Sequence, residues 1–208
     1  MMSQSKVVAD RIYPAKGIAA DVARIAVANI LLALCAQIVI PLPWTPVPIT
    51  GQTFGVLLVG VLLGSRRGGI ALVLYLLEGL AGLPVFQPLG LPGPARFVGP
   101  TAGYLISYPA AAFATGWLVE RAPQIARWTE KNLRIAEFPL VAALIAGEVI
   151  IFAGGCAWLA LGIGLGWQTA LRQGALPFLP GEIIKMALIV IAIEGFNFSR
   201  RNSQRESV

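Results

Sequence analysis

Two ionisable side chains interrupt an otherwise apolar stretch near the C-terminal end of the chain. Glu182 and Lys185 are three residues apart and therefore lie on one face of a helix that begins near Pro180. Ionisable groups are costly at membrane depth, so this pair is a candidate functional site, and the N-terminal end of a helix favours an anionic group. Glu182 could accept hydrogen bonds from ligand N–H groups while Lys185 binds a carboxylate. The alternative is an ion pair that the two residues form with each other.

Further polar and aromatic side chains could complete a ligand site around this pair. Glu148 lies near the middle of a long apolar stretch, where its carboxyl group either contacts a ligand or bonds to a neighbouring helix. Phe86, Tyr104 and Trp158 could pack against a ring system, although aromatic residues near membrane interfaces also act as anchors. Arg96, in a loop, is an alternative partner for a ligand carboxylate.

The composition places these residues in a membrane protein. The 208 residues have a mean hydropathy of +0.76 and are 57% hydrophobic but only 12% charged, against about 25% charged in soluble domains. The abundance of Leu, Ile, Val and Ala excludes a disordered chain. The absence of histidine and the presence of only two cysteines disfavour a metalloenzyme. Because a spanning helix takes about 20 apolar residues, the length suits about six spans with short loops.

The apolar stretches predict an all-α integral membrane protein, a compact bundle of six transmembrane helices. The predicted helices cover residues 17–40, 50–64, 70–80, 101–119, 139–161 and 180–196. A proline cluster ends the first helix, residues 65–69 form a basic turn, and 120–137 is a charged surface loop or interfacial helix. We therefore expect a cytoplasmic arm over 1–16, a membrane domain over 17–198 and a cytoplasmic tail over 199–208.

The distribution of basic residues predicts the orientation. Twelve Lys and Arg residues lie in the arm, the 65–69 turn, the 120–137 segment and the tail, whereas the opposite loops hold only Arg96 and Arg172. Basic residues are retained on the cytoplasmic side, so both termini are expected to be cytoplasmic in a multi-pass protein of the cell membrane. The basic residues that give the net charge of +6 lie mostly in loops between apolar runs. This distribution is typical of a protein surrounded by lipid and does not favour binding to nucleic acid.

Three loops rich in Pro and Gly then converge on the outer face. They cover residues 41–50, 82–100 and 174–181, and they carry Thr and Gln but few charges. Such loops could form a pocket for a small, largely neutral solute, or they could simply be tight turns. A membrane-embedded enzyme using Glu148 or Glu182 as acid and base is the alternative function, but no nucleophile and base stand at a useful spacing. A channel is disfavoured because rings or stripes of polar residues are absent from the sequence.

Four motifs, in order along the chain, resemble the BioY family. They are PVPITGQT at 46–53, GLPVF at 82–86, GPTAGY at 99–104 and LPFLPGEIIK at 176–185, and the resemblance covers about residues 20–195. Members of this family are the biotin-specific membrane subunits, or S components, of energy-coupling-factor (ECF) transporters. The resemblance implies a six-helix protein that binds biotin near the outer surface and transports it without a cofactor. It also implies an energising module of a transmembrane T subunit and paired ATPases, consistent with the lack of a phosphate-binding loop in this sequence.

The resemblance also implies roles for individual residues. Glu182, at a position more often occupied by Asp, and Lys185 match the acidic and basic positions associated with biotin. Glu148 stands where Asn is more common, and Gln87 stands where the family often has Asn. The expected biotin-binding residues are Glu182, Lys185, Gln52, Phe86, Gln87, Arg96, Tyr104, Glu148 and Trp158. Ala19 and Ala23 match the small-residue pattern through which S components contact the T subunit.

Overall fold

The computed structural model describes residues 7–12, 14–129 and 138–206, and these residues are mostly helical. The helices are α1 (Val8–Ile12), α2 (Ile18–Gln37), α3 (Gln52–Leu80), α4 (Ala102–Thr129), α5 (Phe138–Ala157), α6 (Trp167–Gly174) and α7 (Leu179–Glu206). A turn of 3₁₀ helix covers Gly93–Val98, and a π-helical turn over Trp158–Gly162 follows α5. Parts of the predicted arm (1–6 and 13), charged segment (130–137) and tail (207–208) lie outside the described residues.

Two short strands follow α2 and begin to build the loop end of the molecule. Strand β1 (Val39–Ile40) pairs antiparallel with β2 (Ile49–Thr50), with Val39 opposite Thr50 and Ile40 opposite Ile49. The intervening segment contains four prolines, which have a fixed φ and no N–H group to continue a helix or a ladder. The ladder therefore closes a rigid loop directly above the start of α3.

Helix α3 folds back on itself at Gly64. The backbone there has φ 78° and ψ −174°, a conformation that glycine adopts far more readily than other residues. Gln52 Nε2 lies 2.9 Å from the hydroxyl of Tyr75, whereas a straight helix would separate these residues by about 35 Å. The turn predicted over residues 65–69 is therefore wrong in position and length, because the reversal takes place at Gly64 and helical structure resumes at Ser65.

Glu120 on α4 stabilises this reversal. Its carboxylate accepts a 2.8 Å hydrogen bond from the backbone N–H of Ser65 and another of 2.8 Å from the Ser65 hydroxyl. The first N–H groups of a helix have no partner within the helix, so an external carboxylate both satisfies them and complements the positive end of the helix dipole. Glu120, a partly buried residue, thus links α4 to the start of the second arm of α3.

Two helices continue beyond their predicted ends. Helix α4 runs to Thr129, whereas the prediction ended at 119, and α7 runs to Glu206, whereas the prediction ended at 196. The predictions placed both ends where the apolar pattern stops. That pattern marks where a helix leaves an apolar environment, but polar residues of adequate helix propensity allow the same helix to continue into water.

Several helices suit a membrane by length and composition. They are Ile18–Gln37, Gln52–Leu80 and Pro139–Gly162, together with a pair, Trp167–Gly174 and Leu179–Phe196, that is bent by 50°. Because α3 folds back, its 29 residues form two arms of about 20 and 24 Å, each shorter than a hydrocarbon core of about 30 Å.

The arms of α3 pack tightly against α4. A Cβ atom at Gly60 would lie 2.7 Å from the carbonyl oxygen of Ala112 and 3.0 Å from the Cβ of Thr115. Only a residue without a side chain permits this approach, which is the usual role of small residues between membrane helices. The close packing fixes the positions from which α3 and α4 present side chains at the loop end of the molecule.

The two ends of the molecule differ in chemistry. At one end, Arg67 forms ion pairs with Asp10 at 2.7 Å and with Asp21 at 3.0 Å, and Arg24 pairs with Asp21 at 2.7 Å. The opposite end contains the 41–50 and 82–100 loops and the start of α7. Two of the segments predicted to share the basic side of the membrane, the arm and the 65–69 turn, are therefore together, and the loops rich in Pro and Gly meet at the other end.

Candidate ligand-binding site

A cavity lies where the loops meet α4, α5 and α7; we call it the inner cavity. Its aromatic wall residues are Phe86, Tyr104, Tyr108, Phe152 and Phe178, and its polar wall residues are Thr50, Gln52, Thr53, Gln87, Arg96, Thr101 and Glu182. Ligand sites commonly combine an apolar wall with a few polar groups that orient the ligand. The composition of this wall suits a small molecule with a ring system and few polar atoms.

Glu182 and Lys185 form an ion pair next to the inner cavity. Lys185 Nζ lies 2.7 Å from Glu182 Oε1, 2.6 Å from the carbonyl oxygen of Thr50 and 2.9 Å from Thr53 Oγ1. An ammonium group has three donors, and each has an acceptor here. Glu182 is 4% exposed and lines the cavity, whereas Lys185 lies outside its wall. Their spacing in the sequence is compatible with an ion pair or with a ligand site, and the structure forms the ion pair with Glu182 facing the cavity.

Thr53 joins this pair and was not among the predicted site residues. Its hydroxyl donates a 2.8 Å hydrogen bond to Glu182 Oε2 and accepts one from Lys185. Thr53 comes from the start of α3, far from Glu182 in sequence. The available sequence signal was its place in the motif at 46–53, but no spacing rule connects that motif to a position on α7.

Glu148 is buried on α5 but lies outside the cavity wall. It is 5% exposed, and neither of its carboxyl oxygens has a hydrogen-bond partner among the described residues. A buried polar group without a partner is costly. The mid-helix position predicted from the sequence is therefore also a buried one. Glu148 lies outside the cavity wall, but its carboxyl group is close enough to Glu182 and Tyr108, which line the wall, to interact with them electrostatically.

Gln52 and Phe86 lie on a connected part of the inner wall. Gln52 Nε2 donates to the hydroxyl of Tyr75, which in turn donates a 2.7 Å hydrogen bond to the carbonyl oxygen of Val85. Phe86 packs edge-to-face against Tyr75 at 5.3 Å and against Phe97 at 5.8 Å, measured between ring centroids. These contacts fix the orientation of the Phe86 ring, so that its remaining surface is available to a ligand.

Arg96 is a buried cation held by the backbone of its own loop. Its guanidinium donates to the carbonyl oxygens of Leu89 at 2.6 Å and Gln87 at 2.7 Å. Its Nε has no hydrogen-bond partner, and it makes no salt bridge within the described part of the chain. Burial lowers the pKa of the Arg96 guanidinium from its ordinary value. An anionic group beside Arg96 would offset this desolvation.

Gln87 helps to shape the same loop. Its side-chain oxygen accepts a 2.7 Å hydrogen bond from the backbone N–H of Leu89, and the side chain is 5% exposed. Gly90, in the same loop, has φ 103°, and a Cβ atom there would lie 2.8 Å from an Arg96 nitrogen. The glycine thus permits both the left-handed backbone and the close approach of the guanidinium.

Tyr104 and Trp158 both anchor loops, but only Tyr104 reaches the cavity. The Tyr104 hydroxyl donates a 2.7 Å hydrogen bond to the carbonyl oxygen of Gly174, and its ring lines the wall. The indole N–H of Trp158 donates 2.9 Å to the carbonyl oxygen of Gly99, and Trp158 lies outside the wall. Trp158 thus holds the loop at Gly99 in place, and its contact with a ligand stays a prediction.

A second cavity adjoins the first between the 41–48 and 87–101 segments; we call it the outer cavity. Four residues line both cavities: Pro48, Gln87, Arg96 and Thr101. The others are mainly apolar, namely Pro41, Leu42, Thr45, Pro46, Leu89, Gly90, Leu91, Gly99 and Pro100. Arg96 therefore stands at the boundary between the two cavities.

Ala19 and Ala23 lie far from both cavities. They are exposed on α2, beside Val22 and Val27, whose exposed fractions are 59% and 65%. Their small side chains leave a shallow apolar surface that no other described element covers. The structure therefore does not use these two residues for internal packing.

Comparison with known proteins identifies the family. A model described as the BioY family matches residues 3–201. The chain is 40% identical over 164 residues to a protein of Rhizobium etli named biotin transporter BioY, covering 79% of this chain and 85% of the relative. It is 35% identical over 175 residues to the biotin transporter BioY of Rhodobacter capsulatus, covering 76% and 86%.

A solved structure has the same fold. It is described as the crystal structure at 2.1 Å of the S-component for biotin from an ECF-type ABC transporter. The alignment has a TM-score of 0.71 and 27% sequence identity, and it covers 85% of this chain and 90% of that one. Together with the match over residues 3–201, this similarity shows that the chain belongs to the BioY family.

Proposed function

We propose that this chain binds biotin and mediates its uptake across the cell membrane as the substrate-specific subunit of an ECF transporter. The names of its relatives support this function. The observation on which the proposal mainly rests is the inner cavity, which combines an aromatic wall with a carboxylate acceptor, Glu182, and a buried cation, Arg96. Biotin needs this combination, because it has apolar fused rings, a ureido group with N–H donors and a carboxylate.

The arrangement of the wall suggests how biotin is oriented. Glu182 lines only the inner cavity, whereas Arg96 lines both the inner and the outer cavity. We therefore place the ureido N–H groups at Glu182, the rings against Phe86 and Tyr104, and the carboxylate at Arg96. A carboxylate accepts hydrogen bonds from N–H donors, and a guanidinium suits a carboxylate in charge and geometry.

This assignment gives Lys185 a different role from the sequence prediction, in which it bound the ligand carboxylate. All three donors of its ammonium already have acceptors, while Arg96 Nε has no partner among the described residues. Moving Lys185 to a ligand would leave Glu182 buried without its counter-ion, which is costly. We assign Lys185 to holding the Glu182 carboxylate in place and Arg96 to binding the anion.

The membrane arrangement and the partners belong to the same proposal. Six transmembrane segments with cytoplasmic termini agree with the distribution of basic residues and with the helical hairpin at Gly64. Energisation by a T subunit and paired ATPases is supported by the neighbour described as part of an ECF-type ABC transporter. The exposed Ala19 and Ala23 are the proposed contact with the T subunit. The enzyme alternative, with Glu148 or Glu182 as acid and base, is unsupported, because the relatives are named transporters.

Binding of biotin and of biotin primary amide to the purified protein tests this proposal. The wild type should bind biotin tightly and the uncharged amide more weakly, because a charge-assisted hydrogen bond contributes about 1.5–3 kcal/mol, or roughly tenfold to more than a hundredfold in affinity. Arg96→Gln should lose most of this preference. Lys185→Met should weaken the binding of both ligands and retain the preference for biotin over the amide.

Two results would contradict the proposal at different levels. If biotin does not bind to the folded wild-type protein, the proposal that biotin is the substrate is wrong. If Lys185→Met removes the preference for biotin over the amide while Arg96→Gln retains it, the substrate stands and the carboxylate binds at Lys185. The thermal midpoint of each variant should be measured alongside, so that loss of binding is read only from folded protein.

A further inference from the structure

The outer cavity continues the ligand site past the position proposed for the biotin carboxylate. It shares Pro48, Gln87, Arg96 and Thr101 with the inner cavity and is otherwise bounded mostly by Pro and Leu residues. Among the described residues that line it, Arg96 alone is ionisable. A ligand with its carboxylate at Arg96 therefore ends at the mouth of a second apolar space that biotin itself does not need.

We propose that this protein also binds biotin derivatives whose carboxyl group is linked through an amide to a linear alkyl tail, with the tail in the outer cavity. The proposal rests on the function proposed above, because the ring system of such a derivative would occupy the inner cavity as biotin does. The amide retains a carbonyl oxygen that can accept from the guanidinium, but it loses the negative charge. The tail then restores affinity by leaving water for an apolar wall.

The charges around the outer cavity restrict the tail that it accepts. A cationic group directly after the amide would lie beside the Arg96 guanidinium, and like charges in a partly buried site repel. Charged groups are therefore tolerated only at the far end of an alkyl spacer, where they reach solvent. Leu91 and Leu42 supply apolar surface along that path, and Leu91 is 52% exposed when no tail covers it.

A comparison of two neutral amides tests the tail directly. The probes are N-methyl biotinamide, which has almost no tail, and biocytin, in which the carboxyl group of biotin is linked to the side-chain amine of lysine. Both lack the biotin carboxylate, but biocytin also carries the charged α-amino and α-carboxyl groups of lysine. N-pentyl biotinamide, which has an alkyl tail without these charges, is therefore measured alongside, and its advantage over N-methyl biotinamide reports the tail alone. In lipid nanodiscs, wild-type protein should bind biocytin about tenfold more tightly than N-methyl biotinamide.

Variants locate the tail in the outer cavity. Leu42→Ser combined with Leu91→Ser should reduce the tenfold advantage of biocytin to less than about threefold while leaving the affinity for biotin itself near the wild-type value. Leu83→Ser is the matched control, because Leu83 is 54% exposed in the same loop and lines neither cavity. That variant should retain the full advantage of biocytin.

Each remaining outcome refutes the inference in a recognisable way. If biotin binds but biocytin is no better than N-methyl biotinamide, the outer cavity does not receive the tail, and the proposed function is untouched. If the advantage of biocytin survives in the double variant, the tail lies elsewhere. If biotin does not bind, the proposed function fails and this inference fails with it.

Discussion

The hydroxyl of Thr53 donates a 2.8 Å hydrogen bond to Glu182 Oε2, joining the start of α3 to the start of α7 across 129 positions of sequence. The same hydroxyl accepts a bond from Lys185. Thr53 thus supplies one partner to each member of a nearly buried ion pair. The orientation of the Glu182 carboxylate toward the inner cavity depends on a residue that itself has no charge.

Replacing Thr53 with the isosteric valine should therefore weaken biotin binding. Removing one partner from a buried polar group costs about 1–3 kcal/mol, so we expect Thr53→Val to lower the affinity by at least about fivefold. Thr53→Ser, which keeps the hydroxyl, should remain close to wild type. Equilibrium binding of biotin by calorimetry measures both variants.

Thr115→Val is the control for this prediction. Thr115 is fully buried and its hydroxyl lies 3.3 Å from the carbonyl oxygen of Ala143, away from the cavity wall. This variant should change thermal stability without changing the affinity for biotin. If Thr53→Val and Thr115→Val lose equal affinity, the loss follows from removing any buried hydroxyl group, and Thr53 has no specific role in binding.

Glu120→Ala should destabilise the protein without altering the ligand site. The two hydrogen bonds from Ser65 to the Glu120 carboxylate cap the second arm of α3, and loss of a helix cap costs about 0.5–2 kcal/mol. We expect a lower thermal midpoint in detergent and an affinity for biotin within about twofold of wild type. A large loss of affinity at unchanged stability would contradict this assignment.

Cysteine labelling should test the proposed orientation. Single cysteines at Pro88 and Arg172, introduced after Cys35 and Cys156 are replaced by alanine, should react with an impermeant maleimide added to intact cells. A cysteine at Thr129 should react only after the membrane is permeabilised, because Arg66, Arg67 and Arg121 favour a cytoplasmic location for its side of the protein. Labelling of Thr129 in intact cells would reverse the assignment.

Bulky residues at the exposed alanines of α2 should interfere with assembly. Ala19→Trp and Ala23→Trp should reduce co-purification with the T subunit and ATPases, because a large side chain prevents close helix approach. Biotin affinity should stay near wild type, since both alanines are remote from the cavities. Val149→Trp, at a position 59% exposed on α5, is the matched control and should leave co-purification intact. If that control is equally defective, α2 has no special role.

The helical class and the grouping of loops followed from composition and periodicity, but several contacts did not. Spacing placed Glu182 and Lys185 on one face of a helix, yet it could not show that Thr50 on β2 supplies the carbonyl oxygen that holds the Lys185 ammonium. Helical periodicity fixes directions within one element only. Contacts between distant elements depend on how closely the helices pack, and residues such as Gly60 control that distance.

The same limitation explains the residues that lie outside the inner wall. Glu148 is buried in the middle of α5, as its position in an apolar run predicts, but hydropathy gives depth and not the direction in which a side chain points. Trp158 has the aromatic character of a ring-stacking residue, yet its N–H donates to Gly99. Burial and residue type identified candidates, whereas the positions of neighbouring loops decided which of them face a ligand.

The reversal at Gly64 affects how the chain enters a bilayer during synthesis. Neither arm of α3 is long enough to cross a typical hydrocarbon core alone, and both arms are apolar. The two arms are therefore best inserted together as a helical hairpin, with Arg66 and Arg67 staying at one surface as the closed end. A β-branched residue at position 64 would oppose the left-handed backbone that closes this hairpin, so its first effect would be on biogenesis, before any ligand is met.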